Sequence, residues 1–186
     1  MKRLFAALKI HPDAEFVIKY GQLKHELRHG HIKWVEDRNI HITLKFFGET
    51  EERKIPGIVS VLKNRATATA PITLRLSGLG VFGSSYAPKV IWVGIEPYAE
   101  LSSLMKIIHG DLKAVGFEPD RQNLVPHLTL GRIKSPQDKI IFQRSLDSFR
   151  NISSAQMRVS EMILYESILH REGPEYIALD TFPFLK

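Results

Sequence analysis

Apolar and polar positions along this chain fall into short strand-like runs separated by longer stretches of helical spacing, and the order of these segments occurs twice. Arg3 to Lys9 is an apolar run of strand character, and Val90 to Ile95 is another that begins about 87 positions later. Each is followed by a predicted helix. The first covers about Asp13 to Arg28; in the second, Leu101, Leu104, Met105, Ile108, Leu112 and Val115 recur on one face, with Gly116 placed to end it. Two more helices are predicted: Lys54 to Ala68, with Pro56 in its first turn, and Asp138 to Phe149, with Pro136 just ahead. Ile72, Leu74 and Leu76 alternate with Thr73 and Arg75 as a half-buried strand does, and Met157 to Leu169 and Tyr176 to Phe184 close the chain with further strands. Gly78 to Pro88 reads as a long loop between two strands.

The twice-repeated order of strand, helix, strand, strand, helix and strand predicts an α+β fold. Its expected form is a bilobal internal duplication: two mainly antiparallel sheets facing a central cleft about a pseudo-twofold axis, with helices on the outside. Residues 1–186 are expected to form one such domain. No Pro-, Gly- or Ser-rich linker separates the halves, and a 44% hydrophobic composition is enough for a substantial core.

The candidate chemistry lies in the fourth predicted segment of each half. His41-Ile42-Thr43-Leu44 and His127-Leu128-Thr129-Leu130 are two copies of one pattern, 86 positions apart. Composition alone would give roughly 0.3 His-x-Thr matches in such a chain. An isolated His-x-Thr on a strand is ordinarily a surface pair or a hydrogen-bonded core pair, and the doubling in a repeated context argues against that here. In a strand each copy sets His and Thr on one face and its apolar pair on the other. A polar loop with an Asp-Arg element precedes each copy: Asp37-Arg38-Asn39, then Asp120-Arg121-Gln122-Asn123.

An imidazole titrates near neutrality, so two brought together supply one proton acceptor and one donor. In an in-line displacement at phosphorus, one His can activate water while the other delivers a proton to the departing oxygen. Thr43 and Thr129 can donate hydrogen bonds to the non-bridging oxygens. Strict alternation puts Lys45 on the face of His41 and sends Arg132 to the face opposite His127. A bulge at Gly131 would return Arg132 to the cleft, where its planar fork suits a phosphate. The same alternation places Phe46 with the packing residues and Phe47 beside His41. His11, His25, His29, His31, His109 and His170 have no repeated context and read as ordinary surface or locally bonded residues, and the cluster of Lys24, His25, Arg28, His29 and His31 reads as a solvated helix end, with an RNA-facing rim as the alternative.

Charge and cysteine content narrow the classes further. A formal net charge of +6 favours polyanionic partners in general terms, although no dense Lys/Arg run is present. Cysteine is absent, which removes disulfides, thiolate metal sites and cysteine nucleophiles. The apolar run at the N-terminus is too short for a secretion signal and no stretch reaches membrane-spanning length, so a cytoplasmic protein without membrane association is expected.

These residues resemble the two-histidine phosphoesterase superfamily, and within it the RNA 2′,3′-cyclic phosphodiesterases, also called the 2′,5′ RNA ligase family. The resemblance covers nearly the whole chain. It rests on His41 to Glu49 (HITLKFFGE) and Pro126 to Arg132 (PHLTLGR), supported by Arg3 to Leu8 and by Leu79 to Phe82 through Val90 to Gly94. It implies hydrolysis of a 2′,3′-cyclic phosphate at an RNA end, leaving a 2′-phosphate, with no metal or other cofactor. By the same resemblance His41 is the general acid protonating O3′ and His127 the general base activating water. Thr43, Thr129 and Arg132 then hold the phosphate. The resemblance also implies that the same site could reversibly join a cyclic phosphate to a 5′-hydroxyl in a 2′,5′ linkage. The expected partners are RNA ends or nucleotides carrying a 2′,3′-cyclic phosphate, and the expected state is a monomer. Alternatives are a phosphodiesterase on another small cyclic or nucleotide-derived phosphodiester, a metal-dependent hydrolase with the histidines as ligands, and a non-catalytic RNA-binding module.

Overall fold

A computed structural model describes residues 1–84, 87–119, 125–135 and 138–185. The Asp120 to Asn123 element and Pro136 lie outside these residues. The elements follow the order β1 (Lys2–Lys9), α1 (Ala14–Glu26), β2 (His31–Trp34), β3 (His41–Thr50), α2 (Ile55–Thr67), β4 (Ile72–Gly83), β5 (Pro88–Glu96), α3 (Tyr98–Lys113), β6 (Leu128–Ser135), α4 (Lys139–Ser148), β7 (Met157–Val159), β8 (Glu161–Leu169) and β9 (Pro174–Pro183).

The helices form where spacing and capping agree. Asp13 caps α1 by accepting from the Phe16 amide at 3.0 Å, and the helix buries Phe16, Tyr20 and Leu23 along one stripe. Asp138 caps α4 in the same way, accepting from the amides of Ile140 and Ile141. Pro56 occupies the first turn of α2, where a missing amide hydrogen costs nothing, and α2 buries Ile58, Leu62 and Ala66. All four helices contribute to a single apolar cluster with Leu4, Ala6 and Leu8 of β1, Ile42 and Leu44 of β3, Ile91 and Val93 of β5, and Leu128 and Leu130 of β6. The helices therefore cover one sheet face. The other face carries a separate, smaller cluster of Phe5, Ala7, Ile163 and Tyr165, with Tyr176 packed against it.

The protein is α+β, and its strand pairs are antiparallel throughout. Pairing runs in the order β7-β4-β5-β6-β3-β1-β8-β9, with β2 on β6. Where two sheets are expected, the ladder thus joins all nine strands of the described residues, and among these the link at the middle is the pair Ile42–Leu128 between β3 and β6. Strand β4, which follows α2, pairs with β5, and β8, which follows α4 and the short β7, pairs with β1.

A second difference concerns Gly78 to Pro88, read from sequence as a loop. There β4 continues to Gly83, with Leu79, Gly80, Val81 and Phe82 paired to β5. Gly78, at φ +81°, lies at the register slip between Ser77 and Leu79, and this left-handed residue lets the strand resume on the new register.

Candidate active site

The pairing of Ile42 with Leu128 decides the site. In an antiparallel ladder the flanking residues oppose each other crosswise, so His41 lies across from Thr129, and Thr43 across from His127. The two histidines become diagonal neighbours, with Cα separations of roughly 7–8 Å for such positions. Ile42, Leu44, Leu128 and Leu130 are buried on the helix-covered face, whereas His41, Thr43, His127 and Thr129 are half-buried on the other. The structure therefore brings these four sequence-predicted residues together.

Arg132 joins them through a bulge. Along β5 and β6, Trp92 pairs with Thr129 but Ile91 pairs with Gly131, which leaves Leu130 as the extra residue. Parity reverses there, and Arg132, opposite Val90 of β5, returns to the face of Thr129. Gly131 is needed at this point for a second reason: a Cβ on it would lie 2.9 Å from both Ile32 Cγ2 and Trp34 Cε3.

The first motif copy bulges at its own fourth residue. Ala7 pairs with Thr43 and Ala6 with Lys45, so Leu44 is extra. Alternation misplaces Lys45 for this reason: it points to the core side, 4% exposed, and donates to the Glu118 carbonyl at 2.9 Å. The positions of the two phenylalanines are likewise reversed from expectation. Phe46 sits across from Phe5 on the face of His41, with the Arg3 guanidinium 4.7 Å above its ring. Phe47, the extra residue of a further slip, packs edge-on against Phe117 at 5.1 Å.

Each bulge is supported from beneath by a buried polar side chain: Tyr20, which sequence reasoning did not single out, and His109, read from sequence as an ordinary surface or locally bonded residue but buried and bonded to a carbonyl 65 positions away. His109 on α3, 2% exposed, donates from Nε2 to the Leu44 carbonyl at 3.0 Å. The Tyr20 hydroxyl on α1, 1% exposed, lies 2.8 Å from the carbonyls of both Leu130 and Val35. A bulge leaves a carbonyl out of the regular ladder, and burial makes a missing partner costly. The signal for these residues is weak: each sits at helical spacing with apolar neighbours, where a polar group needs a partner.

The two imidazoles are held alike. Nδ1 of His41 is 2.6 Å from the Asn39 carbonyl, and Nδ1 of His127 is 2.7 Å from the Val125 carbonyl. A carbonyl only accepts, so each Nδ1 carries the hydrogen and Nε2 remains for proton exchange. The loop holding Asn39 is itself fixed. Asn39 Nδ2 donates to Pro174 O at 3.0 Å, and Lys9 Nζ donates to Arg38 O.

Aromatic rings wall both histidines. Phe5 lies 5.0 Å and Tyr176 5.3 Å from His41; Phe82 lies 4.8 Å and Trp92 6.3 Å from His127. Burial lowers the pKa of both rings. The carbonyl bonds to Asn39 and Val125 oppose this, while the Arg132 charge pushes both lower and Lys9 and His127 add to the effect at His41. Burial raises the Tyr176 phenol pKa, against the pull of Arg132 and Arg3. The result is a pair of imidazoles held below their ordinary pKa beside one guanidinium and two hydroxyls, a donor set matched to a phosphodiester anion. Among the described residues no group of three or more His, Cys, Asp or Glu side chains is placed to hold a metal ion. No helix among them is long and apolar enough to cross a membrane.

Residues 17–171 match the model of the 2′-5′ RNA ligase superfamily. The chain is 34% identical over 151 residues to an RNA 2′,3′-cyclic phosphodiesterase of Methanothermobacter thermautotrophicus, covering 81% of this chain and 82% of that protein. It is 32% identical over 174 residues to a protein of the same description from Methanocaldococcus jannaschii, covering 94% and 96%. The crystal structure of TT0787 of Thermus thermophilus superimposes with a TM-score of 0.78 at 24% identity, covering 98% of this chain and 97% of that one, which shows a shared fold. The family match and these identities across most of both chains establish that the chain belongs to the 2′-5′ RNA ligase superfamily.

Proposed function

We propose that this protein is an RNA 2′,3′-cyclic phosphodiesterase, opening the cyclic phosphate at an RNA end to a 2′-phosphate without a metal cofactor. His127 Nε2 takes a proton from water as the water oxygen bonds to phosphorus. The P–O3′ bond breaks, and His41 gives its Nε2 proton to O3′. Thr43, Thr129 and Arg132 hold the non-bridging oxygens and balance their charge. The observation that carries this reading is the crosswise setting of the two motif copies about the Ile42–Leu128 pair, with both Nδ1 atoms committed to carbonyls and Arg132 turned onto the same face. His41 must be protonated at the start, although its surroundings lower its pKa. The negative charge of a bound phosphodiester opposes that shift.

The names of the relatives support the choice of substrate. With a 5′-hydroxyl in place of water as the nucleophile, the same steps open the cyclic phosphate into a 2′,5′ linkage: His127 takes the hydroxyl proton, the P–O3′ bond breaks and His41 protonates O3′. We read the chain as one bilobal domain of two related halves acting as a monomer in the cytoplasm. The repeated bulge and the repeated Nδ1–carbonyl bond support the duplication.

The test is turnover of RNA ending in a 2′,3′-cyclic phosphate, with the product identified as a 2′- or 3′-phosphate. His41→Ala and His127→Ala should each abolish it, and exhaustive chelation should leave the native rate unchanged. Near-native rates in both variants, or a 3′-phosphate product, would end the proposal.

A further inference from the structure

Among the described residues the site is walled on two sides. Phe5, Tyr165 and Tyr176 stand behind His41, and Phe82 and Trp92 behind His127. Beyond Arg132, by contrast, β6 runs outward with only the short strand β2 beside it. Lys33 of β2 is the direct ladder partner of Arg132. Its neighbours Ile32 and Trp34 pack against the helix-side core, so Lys33 and His31 alternate onto the face of the active site, both exposed. Lys134 follows on β6, also exposed, at the slip between Ile32 and His31.

No carboxylate of the described residues is paired with this strip. Among the described residues Arg132, Lys33 and Lys134 have no acidic partner, whereas Arg75, Lys2 and Arg38 are each paired to a glutamate and Lys24 to an aspartate. Strands lie about 4.8 Å apart, so the ammonium of Lys33 can reach groups next to the anion held by Arg132. A chain of phosphodiesters continuing from that anion meets unpaired cations in this direction and aromatic walls in the others.

We infer that the β6–β2 ribbon is a binding track for single-stranded RNA: the nucleotides upstream of the reacting end lie along it, with Lys33 and Lys134 on their phosphates. The inference rests on the proposed cyclic-phosphate chemistry and assigns the RNA body a place that a mononucleotide does not need. The track acts on affinity and leaves the chemical step unchanged.

The experiment compares 2′,3′-cyclic AMP with a hexaribonucleotide ending in a 2′,3′-cyclic phosphate, using the full chain with Lys33→Glu and Lys134→Glu separately and together. The double variant should raise KM for the hexaribonucleotide about tenfold or more and leave kcat and KM for cyclic AMP at native values. Lys33→Gln and Lys134→Gln should each reduce the slope of log affinity against log salt by about 0.7 for the oligomer only. Lys106→Glu, exposed on α3 on the far side of the sheet, controls for net charge and should change neither substrate. A parallel measurement, the fluorescence anisotropy of a labelled hexaribonucleotide with a terminal 2′-phosphate, needs no turnover. Lysine-dependent binding there with no hydrolysis would sink the catalytic reading alone. Equal shifts for mononucleotide and oligomer, an unchanged oligomer KM, or an equal effect of Lys106→Glu would overturn the track.

Discussion

Replacing Gly131 with Ala tests how Arg132, the proposed phosphate ligand, is placed. The added methyl would sit 2.9 Å from Ile32 Cγ2, 2.9 Å from Trp34 Cε3 and 3.3 Å from Trp34 Cζ3. A contact under 3 Å does not persist, and the indole cannot move alone: it packs edge-on against Tyr20 at 5.9 Å, whose hydroxyl supports the Leu130 carbonyl. Relief has to come from β2 separating from β6 or from the bulge opening. Overpacking of this kind costs about 1–3 kcal/mol. For a chain of this size that corresponds to a fall in Tm of about 2–12 °C. Arg132 is the next residue, and displacing a positioned group by about 1 Å can cost on the order of 10²-fold in rate. The expectation for Gly131→Ala is a lower Tm together with a fall in kcat/KM of at least about tenfold, most of it in KM, because the arginine binds ground and transition states alike. Thermal denaturation and steady-state kinetics on 2′,3′-cyclic AMP measure both quantities. Native Tm with native KM would show that the close approach at Gly131 does not set the position of Arg132.

Two further outcomes follow from the same geometry. Arg132→Gln removes a positive charge that lowers the pKa of both His41 and His127, so both pKa values rise; since the proposed mechanism needs His127 neutral and His41 protonated, both limbs of the kcat/KM pH profile should move to higher pH, and an unmoved or acid-shifted profile would contradict the placement of Arg132. Tyr20→Phe leaves the Leu130 carbonyl with the Val35 amide at 2.8 Å and should lower kcat/KM severalfold in the native background but not in Arg132→Gln, a non-additivity measured by a double-mutant cycle and absent if Tyr20 only supports global stability.

The elements of this fold were legible because they are local. Asp13 and Asp138 cap helices and Pro56 sits in a first turn. The apolar stripes of α1 and α3 follow helical spacing, and the alternation in His41 to Leu44 and His127 to Leu130 sorts polar from apolar residues onto two faces as expected. The doubling of that motif also pointed to the four polar residues that meet. Alternation failed at the first residue past each motif. It misassigned Lys45, Phe46 and Phe47, and it placed Arg132 correctly only through the allowance for a bulge near Gly131.

A bulge inserts one residue opposite none, and whether it forms depends on the register of the strand alongside and on a partner for the displaced carbonyl. Here those partners are His109 and Tyr20, 65 and 110 positions away from the carbonyls they support. The sequence by itself therefore determined the helices, the strands outside Gly78 to Gly83 and the choice of the paired histidines as candidates, all of which follow from periodicity and residue type within a few positions. Only the tertiary structure decided that nine strands join in one ladder, that the motif copies cross at Ile42 and Leu128, and which cations and rings turn toward them, because cross-strand register is set by contacts between segments far apart in the chain.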